Sequence, residues 1–99
     1  MVHVLAIITA QPGQRAALLA AFQENALNVR AEAGCLEYTA TVDAEGSPAV
    51  YGEDSFVVIE KWATRDDLKA HSVAPHMAAY ATRTKAWVKT RVIHLLTPA

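Results

Sequence analysis

The sequence predicts an α+β fold of the ferredoxin-like kind: an antiparallel sheet with helices on one face and the order β-α-β-β-α-β. Three observations predict it. Four short stretches carry the apolar patterns of strands, two longer ones carry apolar residues at helical spacing, and turn-forming residues separate them. The chain has 99 residues, and we read residues 1–99 as a single domain.

Val2 to Ala10 alternates as a first strand, and Gln11-Pro12-Gly13 is turn chemistry. From Gln14 to Ala33 the residues Ala17, Leu18, Ala21, Phe22, Leu27 and Val29 recur at helical spacing, and Gly34 is placed to end that helix as its C′ residue. Cys35 to Val42 resumes an extended pattern. Asp43 to Asp54 is a polar loop, and Ser55 to Ala63 is a third strand. Thr64 with Asp67 has the form of a helix start, a capping hydroxyl followed by an acid in the first turn. That helix runs to about Val73. Pro75 disfavours helical geometry at Ala74 and suits the first turn of a new helix carrying Met77, Tyr80 and Ala81. Val88 to Leu96 is the last strand.

An antiparallel sheet covered on one side shows alternation of apolar and polar residues. This one is apolar on both faces. In the third strand Phe56, Val58 and Trp62 share one face while Val57 and Ile59 share the other; in the first, Leu5 and Ile7 oppose Val2, Val4 and Ile8. Helices cover one face. Burying ~400 Å² of the other in each subunit contributes on the order of 10 kcal/mol before association costs. We therefore expect a homodimer whose open sheet faces pack together as a dimeric α/β barrel.

Composition narrows the function classes. The chain is 53% hydrophobic and 19% charged, with a net charge of −1, so nothing points to nucleic acid or an anionic membrane. The lone Cys35 leaves no internal disulfide and no cysteine metal cluster. The first residues lack a basic leader, and no apolar run approaches the ~20 residues of a membrane span. These features predict a soluble cytoplasmic protein.

The residues that could carry chemistry gather between Asp54 and Tyr80. Glu60 falls on the face of Val58 and Trp62, so its carboxylate needs either a structural partner or a role as a base or the orienter of one. Trp62 ends its strand where a pocket between sheet and helices would open, as a core residue or as a flat indole wall. His71 shares the inward phase of Leu68 and is the better candidate for a proton acceptor near neutral pH. His76, at a helix start, reads as structural. The two histidines are not an i, i+4 pair and no ligand set is evident, so we expect no metal. Tyr38 and Tyr80 are open to two readings, a phenol in the cavity or a half-buried ring with a wet hydroxyl. Arg83 and Arg91 could reach an anion but read first as solvated, and His3 and His94 read as surface or interface residues on outer strands.

Taken in order, Phe56, Glu60 and Trp62 (F-x-x-x-E-x-W), Leu68 and His71 (L-x-x-H), and Pro75, His76, Met77 and Tyr80 (P-H-M-x-x-Y) resemble the antibiotic biosynthesis monooxygenase family. So do Glu32, Gly34, Cys35, Leu36 and Tyr38 (E-x-G-C-L-x-Y), and Pro12-Gly13-Gln14. The likeness spans nearly the whole chain and is greatest to the bacterial quinol monooxygenases. It implies a cofactor-independent monooxygenase acting on a quinol or related polyphenol with molecular oxygen. His71, Trp62 and Tyr80 would be catalytic, and Phe56, Glu60, Tyr38, His76 and Met77 would lie against the substrate. Two other readings accompany it: a non-catalytic ligand-binding or stress-response dimer, and a haem-binding or haem-degrading member. The first strand, VHVLAIITA, lacks the asparagine that the resemblance would require for haem degradation.

Overall fold

The computed structural model describes residues 1–99 as a two-layer slab of 34 × 34 × 19 Å. Its elements are β1 (Val2–Ala10), α1 (Arg15–Arg30), β2 (Cys35–Thr41), β3 (Ser55–Trp62), α2 (Arg65–Ser72), α3 (Pro75–Thr84), a 3₁₀ turn (Lys85–Trp87) and β4 (Val88–Leu96). The strands form one sheet in the order β2-β3-β1-β4, every pair antiparallel, which is the ferredoxin-like arrangement. β1 is therefore a central strand, and His3 lies on it rather than on an outer one. No helix is long and apolar enough to cross a membrane.

Alternation in β1 fixes the core. Val2, Val4, Ala6, Ile8 and Ala10 are buried, while the residues between them are only half-buried. Register sets Val4 beside Glu60 and Val2 beside Trp62, and Glu60 in turn beside Tyr38. The helices cover this face through Leu18, Ala21, Phe22, Ala26 and Val29 of α1. Leu27, expected inward, is 71% exposed, because the buried stripe runs through Ala26 one residue earlier.

Two expected boundaries move. α1 ends at Arg30 with Ala31 as its C-cap, so Gly34 is not its C′ residue. Gly34 sits instead in the turn to β2 with φ +78°, and a Cβ there would lie 2.1 Å from Asp67 Oδ2. The start of α2 is packed against that bare backbone. Thr64 does cap α2: its Oγ1 accepts from the Asp67 backbone N–H at 3.1 Å. Pro75 takes the first turn of α3, as its fixed φ favours.

The second strand carries a bulge. Cys35 pairs with Trp62 and Glu37 with Lys61, which leaves Leu36 as the extra residue. The inserted residue reverses the alternation, so Cys35 and Tyr38 both pack against the core.

Candidate active site

Small side chains facing each other leave a void. Val4, Ala6 and Ile8 of β1 form the floor of a cavity of about 400 Å³, and Ala78 and Ala81 of α3 face it from the helical layer with Leu68 and Met77. Most of the lining is apolar. Its polar groups are Glu60, His71, Tyr38, Tyr80, Ser72 and Arg91.

His71 is 6% exposed, and the end of α1 fixes its ring. Glu32 lies in the turn that follows α1 and aims its carboxylate at both α2 and α3. His71 Nδ1–H donates to Glu32 Oε2 at 2.8 Å, and His76 Nε2–H donates to Glu32 Oε1 at 2.6 Å. A carboxylate only accepts, so the first bond fixes the proton on Nδ1 and leaves the Nε2 lone pair of His71 free on a residue that lines the cavity. Trp62 backs the imidazole, its ring centroid 4.7 Å away and tilted by 30°. Tyr38 meets it edge-on at 5.6 Å. On the outer side, His76 Nδ1 lies 3.1 Å from Asn25 Oδ1, and Asn25 Nδ2 donates to Met77 Sδ. One carboxylate thus ties three helices around one free imidazole nitrogen.

Three other groups on the cavity lining, Glu60, Tyr38 and Tyr80, are held towards their neutral forms. Burial raises the Glu60 carboxyl above its usual range; the Trp62 Nε1–H, which donates to Glu60 Oε1 at 2.9 Å, pulls the other way. Burial, then the Glu60 carboxylate, pushes the Tyr38 phenol far upward. Burial raises Tyr80 too, against the charges of Arg91 and Arg83. Both phenols therefore stay protonated and can donate to a ligand oxygen. Burial and the Glu32 and Glu60 carboxylates raise the Cys35 thiol, which packs as a small hydrophobe rather than a nucleophile.

The sequence-predicted residues divide. His71, Tyr80, Tyr38, Glu60 and Met77 all line the cavity. Trp62 does not: it is fully buried behind His71 and supports the imidazole, so of its two readings the core residue holds and the indole wall does not. Phe56 is also off the cavity, packed edge-on against Phe22. His76 faces a separate surface recess bounded by Glu24, Asn25, Asn28 and Arg83. Arg91, read as able to reach an anion though more readily solvated, lines the cavity. Glu32 was visible only as a motif letter. It lies 39 residues from His71 in the chain, a separation at which local spacing carries no signal. No group of three or more His, Cys, Asp or Glu side chains is disposed to ligate a metal ion.

Comparison with known proteins agrees with this architecture. The antibiotic biosynthesis monooxygenase family matches residues 1–83. Over 102 aligned residues the chain is 36% identical to "Probable quinol monooxygenase YgiN" of Escherichia coli K12, covering 99% of this chain and 98% of that one. Among solved structures, PA3566 from Pseudomonas aeruginosa superposes with a TM-score of 0.84 at 28% identity, over 99% of this chain and 93% of its own. Rv0793 from Mycobacterium tuberculosis gives 0.81 at 26% identity, over 99% and 94%. The chain belongs to the antibiotic biosynthesis monooxygenase family and is a monooxygenase.

Proposed function

We propose that the protein is a cytoplasmic, cofactor-independent monooxygenase that hydroxylates a quinol or a related polyphenol with molecular oxygen. The observation that carries this reading is the free Nε2 of His71, held by Glu32 at the edge of an apolar cavity. Triplet oxygen reacts slowly with closed-shell molecules. A quinol that has lost a proton is rich enough in electrons to pass one to oxygen, giving a semiquinone and superoxide. The pair then forms a carbon–oxygen bond, and the resulting peroxide expels water. One quinol and one O₂ give one hydroxyquinone and one water, so no external reductant is needed.

Each part of that sequence has a residue suited to it. His71 takes the quinol proton, and a positioned base contributes typically ~10²–10⁴-fold. Tyr38 and Tyr80, kept protonated, are donors for the ring oxygens. The apolar floor and roof exclude water from the reactive pair. A YgiN-like substrate, a quinol, is consistent with the relative's name.

The functional unit in this reading is a homodimer. Register places Leu5 beside Ile59, and Ile7 between Val57 and Val92, on the face that the helices leave open. Val92 and Leu96 are 47% and 46% exposed there. A contiguous apolar surface of this kind fits a second copy of the same face.

Oxygen uptake with reduced naphthoquinones tests the reaction. Wild-type turnover above autoxidation that is lost in His71→Ala supports it, and a wild-type rate equal to autoxidation rejects it in favour of a binding dimer. Sedimentation at micromolar concentration tests the assembly, which a single-copy species would refute.

A further inference from the structure

One carboxylate links a residue of the cavity to a residue of the surface recess. His71 lines the first, His76 lines the second, and Glu32 holds both imidazoles at 2.8 and 2.6 Å. Asn25 adds a directional clue. Its Oδ1 accepts from Asn28 Nδ2 at 3.3 Å and also faces His76 Nδ1 at 3.1 Å. His76 therefore meets an acceptor on each ring nitrogen, an arrangement matched by the doubly protonated ring, which also balances the charge of Glu32.

We propose that His71, Glu32 and His76 form a proton relay that carries the substrate's proton out of the apolar cavity to the water of the surface recess. The relay rests on the assignment of His71 as the base. The phenolic O–H breaks and an N–H forms at His71 Nε2. The His71 Nδ1–H passes to Glu32 Oε2, making a neutral carboxyl. His76 no longer faces a negative charge and releases its Nδ1 proton to a recess water. The three side chains sum to zero charge before and after. Before, they are a neutral imidazole, a carboxylate and an imidazolium; after, two neutral imidazoles and a carboxyl group. One proton enters, one leaves, and every hydrogen bond to Glu32 persists with its direction reversed only at His71.

This arrangement answers a chemical difficulty. An imidazolium left at His71 would hold its full positive charge against the substrate oxyanion and withdraw the electron density that oxygen must receive. Export returns His71 to a neutral ring, so the anion faces the neutral His71 Nε2–H and the two neutral tyrosines, with Arg91 the cation left on the cavity lining. The groups facing the relay from neighbouring elements fit this direction. Glu60 and Tyr38 approach from the strands, and burial holds both towards their neutral forms. Tyr80 of α3, likewise raised by burial, borders both cavity and recess. In the recess, Glu24 is already paired with Arg83 at 2.5 Å, which leaves water as the acceptor. His76 and Glu32 act through His71 and are positioning residues.

The test uses 1-naphthol, neutral in solution at neutral pH and spectrally distinct as its anion. It is mixed anaerobically with the intact protein in weak buffer containing a pH indicator. Wild type is expected to form the naphtholate and release one proton for each anion, in step. His76→Gln keeps a donor to Glu32 but carries no exchangeable charge. It is expected to slow proton release at least tenfold, with added imidazole restoring it, a rescue that a merely structural defect would not show. Glu32→Gln cuts the same relay independently and is expected to lower naphtholate formation at least tenfold. Proton release at the wild-type rate in His76→Gln overturns the relay. So does a wild type that ionises the ligand without releasing a proton, or one that does not ionise it. Where His76→Gln fails to fold, full ionisation and release in Glu32→Gln overturns it instead. A wild type that passes yet consumes no oxygen with quinols loses the oxygenase reading and keeps the relay.

Discussion

Two carboxylates in this molecule each gather donors from distant segments, and they do so for different ends. Asp43 accepts the backbone N–H groups of Tyr51, at 3.0 Å, and Gly52, at 2.9 Å, and so closes the long loop before β3. Glu32 accepts from two imidazoles on two helices. A peptide N–H cannot give up its proton near neutral pH, so the clasp at Asp43 has one state. An imidazole can, so the clasp at Glu32 can change state without letting go. The Asp43 amides also hold its carboxyl below the usual range, locking it as an anion on the surface. The partners, rather than the acid itself, decide whether a carboxylate is a rivet or a working part.

The largest expected effect comes from removing the free nitrogen. His71→Ala should lower quinol-dependent oxygen uptake by ~10²–10⁴-fold, while Asp43→Asn should leave that rate at the wild-type level; equal losses in the two variants would erase the contrast. Next comes Gly34→Ala, which forces a side chain into a left-handed backbone against Asp67 at the head of α2. We expect a loss of about 1–2 kcal/mol, read from urea midpoints, with an unchanged midpoint as the refuting result.

Glu60→Gln sharpens the comparison through pH. Burial raises the Glu60 carboxyl in the fold, so its ionisation costs stability as pH rises through the raised value. The amide lacks that penalty and can still accept from Trp62. The variant should melt higher than wild type at pH 7–8, and the gain should vanish below the ordinary carboxylate value of 4.5. A gain that persists undiminished at acid pH would assign it to packing instead. Asp43→Asn runs the opposite way and is the smallest effect. Its depressed acidity contributes stability above the ordinary value of 3.8, lost as pH falls through the lower folded value. Melting curves should show a slight deficit at neutral pH that closes in strong acid.

Much of this was legible from local chemistry. Pro75, the Thr64–Asp67 cap and the alternation of β1 each follow from contacts within a few residues, and each stands where the sequence places it. His71 was legible for the same reason, since its phase with Leu68 turns both inward. Glu32 was not, because its partners are α2 and α3, brought round by the whole β-α-β-β crossover. Trp62 misled through direction. Period two gives the face of a strand but not how far along it a void opens, and that depends on Ala6, Ala78 and Ala81, residues too small to stand out. The bulge at Leu36 was invisible for a related reason: nothing in the letters marks which residue of β2 goes unpaired.

Those alanines have an evolutionary consequence. The size of the chamber is written in methyl groups at β1 and α3, whereas the proton path is written in polar residues from α1 to α3. Enlarging Ala6, Ala78 or Ala81 by a carbon or two would trim the guests admitted and leave the wiring intact. A lineage could thus change its diet in small steps, each one keeping the chemistry it started with.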